Sequence, residues 1–487
     1  MKHAYPRAQA VVLSRFDLPD AADLMVTSCE DCACPVSGYQ IALPAPPETV
    51  AGTHWVHAAG TVESRLDDDH RLLFNPLGSY GVVVVNQSAY DVYESAGREP
   101  DGADAADVLR TLASLELIHP EGQPSRPVIT PSQVLTAWLH VTNGCNLRCP
   151  YCYVNKSAEA MDETTGRAAV EAVIASALEH GFRTVKLKYA GGEASLNHRL
   201  VVALHEYAAE LTAASGLGLE ATLLSNGVRL PPRLIRACKD AGIRMMISLD
   251  GIAAQHDVQR PFANGKPSFH LVERTIAELI DQGCAPHLSV TVTGRNVAGV
   301  PDAVRFALER NLTFSINLFR DNECAATVPD LRYEEEKIIG SLRAAFEVIE
   351  RSLPRWSVLG SVLDRGQLLQ PRTRSCGVGQ DYLAIDQRGR VAKCHMEIER
   401  TLGDVFSGDP LALVRQDRTS ALNLLVDEKE GCRDCTWRYW CSGGCSVATF
   451  RATGRYDIKS PNCNIYRAIY PDALRLEGLR LLRYARA

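Results

Sequence analysis

Apolar positions along this chain follow two periods, and where they alternate they outline a layered fold. From about residue 135 to 319, short apolar runs are separated by longer stretches with apolar residues every three or four positions. The runs predict strands at 136–142, 184–190, 221–225, 244–249, 287–293 and 313–318. The stretches between them predict helices at 163–180, 198–214, 232–241, 269–282 and 300–310. Six strands alternating with helices imply a parallel sheet, open or curved into a partial barrel. Chemistry in such folds gathers at the C-terminal ends of the strands. A charged amphipathic helix is expected over 333–351, followed by Gly-rich turns.

The N-terminal quarter reads differently. Residues 1–54 are rich in Pro, Ala and Asp and carry no clear period. Leu72 to Phe74 and Val82 to Val85 read as two strands around the Pro76-Leu77-Gly78 turn. Ser88 is the expected cap of a helix through Tyr90 and Val92. A second helix is expected over 105–115, and Leu117-Ile118 as a closing strand. Together, 54–121 suggests a small winged-helix-like module. Three prolines between Gln123 and Pro131 mark a linker. The expected division is an N-terminal region at 1–125, a barrel at 132–325, linking helices at 326–369 and a C-terminal domain at 370–487. No internal repeat or low-complexity tract interrupts it.

Composition narrows the class. Of 487 residues, 46% are hydrophobic and 23% charged, which is ordinary for a globular protein with a large core. A net charge of -6 argues against a nucleic-acid or anionic-membrane surface. No apolar run approaches the ~20 residues of a membrane span, and the first residues lack the apolar core of a secretory signal. The expectation is a soluble, cytoplasmic protein.

Its 16 cysteines are too dilute for a disulfide scaffold, but they cluster. Cys145-x3-Cys149-x2-Cys152 follows the first barrel strand directly. Cys376, Cys394, Cys432, Cys435, Cys441, Cys445 and Cys463 crowd the C-terminal quarter. Thiolates at such spacings suit zinc or iron–sulfur centres. Three in one loop leave a metal position open for another ligand. Seven are too many for one mononuclear site, though two zinc sites could use them. Cys238 and Cys284 read as core residues. Cys324 lies just past the sixth strand and reads as a small buried residue or a further ligand. Cys29, Cys32 and Cys34 form a pair-plus-one without a fourth partner.

The string CNLRCPYCY resembles the radical S-adenosylmethionine (radical SAM) enzymes. In that family three cysteines hold a [4Fe–4S] cluster whose fourth iron binds the amino and carboxylate groups of S-adenosylmethionine. The resemblance extends to Tyr151 before the third cysteine, to Gly191-Gly192-Glu193 ending the second strand, to Ser225-Asn226-Gly227 ending the third and to Ser248-Leu249-Asp250-Gly251 ending the fourth. It implies that Gly191, Gly192 and Glu193 hold the methionine amino group. It also implies that Ser225, Asn226, Ser248 and Asp250 contact the ribose and carboxylate sides. Ala194 stands where many members have proline. His256-Asp257, Arg260, Gly265, Ser268 and Phe269 resemble a segment of the peptide-modifying branch.

The C-terminal spacing is similar to the SPASM extension of that family, which carries two auxiliary [4Fe–4S] clusters. By that resemblance Cys432, Cys435, Cys441 and Cys463 bind the outer cluster, and Cys376, Cys394 and Cys445 an inner one that lacks a fourth cysteine. Three clusters and S-adenosylmethionine are the implied cofactors. The expected fold is α/β: a partial (β/α)6 barrel, a winged-helix-like module before it and an iron–sulfur domain after it. The implied reaction is reductive cleavage of S-adenosylmethionine to a 5'-deoxyadenosyl radical, which abstracts hydrogen from a peptide residue. A ribosomally made precursor peptide or small protein is the implied substrate, with the module at 54–121 reading its leader. A flavodoxin or ferredoxin-type protein is the implied electron donor. A Cys sulfur-to-carbon thioether is the expected product. A carbon–carbon or other side-chain crosslink is the runner-up, ahead of sulfatase-maturase-like oxidation. In that last type an aspartate near the cysteine matching Cys394 serves as base. Here His395 follows that cysteine, and Cys324 and His395 are the candidate catalytic residues. A zinc-binding nucleic-acid regulator is the rival from another class. Its expected basic patch is opposed by 58 acidic against 52 basic residues.

Overall fold

The computed structural model describes residues 9–18, 45–47, 53–98, 101–123 and 126–485. Cys29, Cys32 and Cys34 lie outside the described residues. The N-terminal region begins with β1 (Val12–Leu13), β2 (Trp55–His57), β3 (Val62–Arg65), β4 (His70–Phe74) and β5 (Val82–Asn86). Helices α1 (Gln87–Glu94) and α2 (Ala103–Ser114) follow, then β6 (Ile118–Pro120). One sheet runs β1-β5-β4-β3, and β2 pairs with β6 in a separate ribbon. β5 is a run of four valines, all buried, the β-branched pattern of a central strand. The α1 cap is Asn86 rather than Ser88: the Asn86 side chain accepts from Ala89 N at 3.1 Å. Asn86 also holds the residues that lead into β1. Its side chain accepts from Val11 N at 3.0 Å and donates to Gln9 O at 2.8 Å.

The barrel strands are β7 (Val134–His140), β8 (Thr184–Ala190), β9 (Gly218–Ser225), β10 (Arg244–Ser248), β11 (His287–Val292) and β12 (Phe314–Leu318). They are parallel and lie in chain order across the sheet. Between and after them run α3 (Glu163–Glu179), α4 (His198–Ser215), α5 (Pro232–Asp240), α6 (Ala254–Asp257), α7 (Phe269–Asp281) and α8 (Val300–Glu309). Their ends carry ordinary signals. Asp162 caps α3 through Thr165 N at 2.7 Å, and Gly216 ends α4 in the left-handed region. Residues 326–369 contain a single α-helix, α9 (Glu335–Arg351), with short 3-10 turns rather than several helices.

The C-terminal region adds β13 (Tyr382–Ile385), β14 (Arg390–Ala392) and β15 (Thr401–Asp404). It also adds α10 (Pro410–Gln416), α11 (Arg438–Cys441), α12 (Ser446–Thr453) and α13 (Cys463–Tyr484). β13 joins the barrel sheet parallel to β7, with Tyr382 opposite Thr136 and Ile385 opposite Leu139. β14 and β15 extend it to nine strands.

The N-terminal region is not walled off from the rest. One core cluster contains Leu13, Leu72, Phe74, Val82 and Val84 together with barrel residues and with Trp440 and Leu474. Phe74 stacks on Trp437 at 5.7 Å and meets Trp440 edge-on at 4.9 Å. The opposite face of β5, Val83 and Val85, belongs to a smaller core with Leu109 and Leu112 of α2. No helix among the described residues is long and apolar enough to cross a membrane.

Candidate functional site

The first cysteine loop lies flat against the end of β8. Gly192 N donates to Thr142 O at 2.7 Å, and Glu193 N to Gly144 O at 2.8 Å. A Cβ on Gly191 would stand 2.4 Å from Thr142 O, and one on Gly192 2.4 Å from Gly144 O. These glycines are therefore required by the crossing of two backbones within the protein. The loop is held on its other side by Arg148 N donating to Pro261 O at 2.9 Å. Leu147, between the cysteines, is fully buried.

Cys145, Cys149 and Cys152 are close enough to repel one another as thiolates. Burial, with that repulsion added, pushes the Cys149 thiol up to about 12. Lys156 Nζ donates to Cys152 Sγ at 2.9 Å, and Leu147 N to Cys145 Sγ at 3.4 Å. Three converging sulfurs with N–H donors suit a cationic cluster core, whose charge offsets the repulsion.

Glu193 is buried and receives three donors: Ser225 Oγ at 2.8 Å, Asn226 N at 2.6 Å and Ser195 N at 3.1 Å. Asn226 Nδ2 in turn donates to Asn146 Oδ1 at 2.7 Å, inside the cysteine loop. The ends of β8 and β9 and the loop are thus one hydrogen-bonded unit. Asp250 is placed differently from the sequence expectation. Its Oδ2 accepts from Tyr151 OH at 2.5 Å and Arg260 Nη1 at 3.3 Å, and its Oδ1 from Thr291 N at 2.9 Å. Fully engaged, it stands behind the cavity wall and fixes Tyr151 and Arg260. The 256–269 segment serves the same end. Asp257 Oδ1 accepts from Ser268 N at 2.7 Å and Phe269 N at 2.8 Å, closing a bracket around Arg260.

These elements line an open cleft of about 220 Å³ at the C-terminal ends of the strands. Cys152, Gly191, Gly192, Glu193, Ser225, Asn226 and Ser248 line one part of it, and Trp138, His395, Arg320 and Arg365 another. Ser289, Thr291 and Asn317 line it too. Polar residues at alternate positions of otherwise apolar strands were a readable sign of this interior, since β11 reads HLSVTV and β12 FSINL. His395 stacks on Trp138, centroids 4.4 Å apart at 15°, and its Nδ1 lies 2.8 Å from Tyr382 OH. Trp138, Arg320 and Arg365 had no motif to announce them.

The seven C-terminal thiols separate into two sets by mutual charge. Cys394 is pushed up by burial, then by Cys445 and Cys376. Cys432 is pushed up to about 12 by burial, then by Cys441, with Cys463 and Cys435 contributing less. All four members of this second set line one small cavity of about 20 Å³, with Trp437, Tyr466 and Tyr470 around it. Among the described residues no three thiols stand at single-ion distance. Sulfurs spaced around a cavity suit a cluster better than one zinc. Lys429, buried, feels Cys432 and Cys441 of one set and Cys376 and Cys445 of the other.

Cys324 is exposed, not buried. Its Sγ lies 3.3 Å from Asn155 Oδ1, and the thiolate it feels is Cys152, so it stands by the first loop and not by the inner set. Cys238 is buried in the barrel core, while Cys284 is partly exposed.

Comparison with known proteins agrees with this geometry. A family model described as the Radical SAM superfamily matches residues 139–307. A PqqA peptide cyclase of Methylorubrum populi is 24% identical over 368 residues, covering 70% of this chain and 88% of that protein. Among solved structures, native anSMEcpe with bound AdoMet and Cp18Cys peptide superposes with a TM-score of 0.59 at 18% identity, covering 71% of this chain and 99% of that one. Streptococcus suis SuiB bound to precursor peptide SuiA gives 0.50 at 12% identity, covering 84% and 99%.

Proposed function

From residues 139–307, a radical SAM domain, we infer that this chain is a peptide maturase that crosslinks two side chains of a precursor peptide. The product we propose is a thioether between a cysteine sulfur and a carbon. The observation that carries the reading is the single cavity, bounded by Cys152 and Glu193 on one side and by Arg365 and His395 on the other. A peptide residue held there would lie beside Cys152 of the first thiol set and His395, the chain neighbour of Cys394. Relatives named for peptide cyclisation, and a structural neighbour solved with its precursor peptide, support the same substrate class.

When bound, a [4Fe–4S] cluster and S-adenosylmethionine supply a 5'-deoxyadenosyl radical able to take hydrogen from an unactivated C–H bond. Cys145, Cys149 and Cys152 would hold that cluster. Glu193, Ser225, Asn226 and Ser248 would hold S-adenosylmethionine, with Glu193 as the buried anion for its ammonium. Asp250 would act through Tyr151 and Arg260. Cys376, Cys394 and Cys445, and Cys432, Cys435, Cys441 and Cys463, would hold two further clusters in a SPASM-type domain over 370–487, three in all. The stack of Trp138 on His395, braced by Tyr382, would wall the substrate side and help exclude water. A flavodoxin or ferredoxin-type donor would supply electrons.

The leader would bind by adding a strand to a sheet edge. The N-terminal sheet ends on β1, of two residues, and on β3, of four, so β3 offers the longer edge. Removing the whole region is a poor test, because Phe74 and Leu72 pack into the common core. Proline on β3 is cleaner. Of Glu63 and Ser64, one N–H faces β4 and the other faces outward. The outward proline should weaken leader binding, read by fluorescence anisotropy, without lowering the melting temperature.

The central test uses the anaerobically reconstituted chain with a leader-bearing, cysteine-containing peptide. The expected product has lost two hydrogens and one alkylatable thiol. The same mass loss from a peptide whose cysteines are alanine would replace the thioether with a carbon–carbon link. Production of 5'-deoxyadenosine without any change in either peptide would overturn the reading.

A further inference from the structure

A second opening lies at the far end of the sheet from the cavity described above. Gln133 leads into β7, Phe182 stands two residues before β8, and Asp381 leads into β13. All three line an open cleft of about 350 Å³ at the N-terminal ends of these strands. The seven residues of β7 set it roughly 20 Å from the first cavity. Three guanidiniums, of Arg372, Arg374 and Arg415, line the cleft against one carboxylate, that of Asp381, in a chain whose net charge is -6. Arg415 is held in place: its Nε donates to Gln380 O at 2.9 Å and its Nη1 to His180 Nδ1 at 3.1 Å. The acidic residues at either end of its helix, α10, are already paired, Asp409 with His180 at 2.6 Å and Asp417 with Lys393 at 3.0 Å.

Apolar surface adjoins this charge. Val128 and Ile129 are adjacent, 63% and 37% exposed, and Ile129 lines the cleft. The other four large apolar residues as exposed among the described ones stand singly in the sequence. The wall of the cleft also contains Cys376, which is partly exposed. Cys376 packs with Cys394 and Cys445 against one apolar cluster that includes Trp138 and Tyr382. The inner thiol set thus borders two openings. Cys376 lines the cleft, and His395, the chain neighbour of Cys394, lines the first cavity.

We propose that this cleft docks an acidic one-electron carrier protein, whose electron enters the chain through Cys376. The proposal rests on the reading that Cys376, Cys394 and Cys445 hold a cluster. One electron leaves the carrier, which is oxidised, and reduces that cluster; no bond forms or breaks and no proton moves. The arginines steer and orient an acidic partner, and the apolar pair on the rim gives the encounter a dry contact. Redox encounters need little buried area, so a cleft with a short apolar rim suffices. Carrier and peptide then bind at opposite ends of the strands and do not compete.

The test uses the full reconstituted chain under anaerobic conditions, with an acidic flavodoxin as the probe. Reduction by flavodoxin hydroquinone is followed by stopped-flow loss of iron–sulfur absorption, with dithionite as the small-molecule control. Freeze-quench EPR identifies the cluster that takes the first electron, and surface plasmon resonance reads the binding of oxidised flavodoxin. In the wild type the flavodoxin rate should fall with added salt, the inner cluster should be reduced first, and bound peptide should leave the rate unchanged. Ile129→Asp and Arg415→Glu should each slow flavodoxin and weaken its binding at least about tenfold at low salt, with the dithionite rate unaltered. Should Arg415→Glu lose iron, Ile129→Asp, a change at an exposed side chain, decides alone. Flavodoxin rates and binding equal to the wild type in both variants would overturn this inference, as would a first electron on another cluster or a wild type that only dithionite reduces. Each of those results leaves the functional reading intact. A wild type with iron for two clusters only would overturn both.

Discussion

The two cysteine-rich regions gather their thiols by opposite routes. Cys145, Cys149 and Cys152 lie on one loop, pinned by backbone bonds to the end of β8 and to Pro261. The C-terminal thiols come from separate elements. Cys376 precedes β13, Cys394 follows β14, Cys441 ends α11, Cys445 caps α12 and Cys463 begins α13. The first set is a property of a short peptide laid on a finished barrel. The second exists only when five elements are in place, so a metal bound there would couple to folding. A local site can lose its ligands and keep its fold; an assembled one cannot.

The sharpest way to break that comparison is to remove each set in turn. Changing Cys145, Cys149 and Cys152 together to Ala should abolish 5'-deoxyadenosine formation and remove about four irons. Its urea unfolding midpoint should move little. Changing Cys432 and Cys441 to Ala should lower unfolding stability by roughly 3 kcal/mol or more, measured by circular dichroism in urea. Equal loss of stability in both variants would end the distinction.

A smaller effect tests the seam between the regions. Asp381 leads into β13, and its carbonyl accepts from Thr136 N of β7 at 2.9 Å. Its Oδ1 is buried without a hydrogen-bond partner among the described residues. Burial raises this carboxyl to about 7. A folded-state value above the unfolded one favours the native state in acid, and that contribution is lost as pH rises through 7. Stability should therefore fall with a slope approaching about 1.4 kcal/mol per pH unit between about pH 4 and 7 from this group. Asp381→Asn should flatten that component in urea midpoints taken across the range.

The smallest effect sharpens the local side. Gly192→Ala brings a methyl against Gly144 O. It should cost about 1–3 kcal/mol and weaken S-adenosylmethionine binding by calorimetry, while C-terminal iron stays bound.

The barrel was legible because its strands and helices are long and their periods differ. β8 runs over Thr184–Ala190, the predicted span, and the other five strands and five helices begin or end within three residues of expectation. The short strands were not legible. β1 has two residues and β2 three, and no period can be read in so few. The candidate site divides in the same way. Cysteine spacing and strand-end glycines are local, and they stood in the sequence. Asp250 shows the limit, because its position after β10 is local while its three donors come from Tyr151, Arg260 and Thr291. Arg320 and Arg365 lie 45 residues apart and come together only in the cavity they line.

The parallel pairing of β13 with β7 also bears on how the chain is made. β7 is complete when His140 leaves the ribosome, but the strand that covers its outer edge ends at Ile385. At 5–20 residues per second that edge waits roughly ten to fifty seconds for its partner. During the wait the nascent barrel carries an open, apolar strand, VLTAWLH, with unpaired N–H and C=O groups. Such an edge is the natural place for a chaperone to hold the emerging chain, and the natural point of aggregation when translation outruns it.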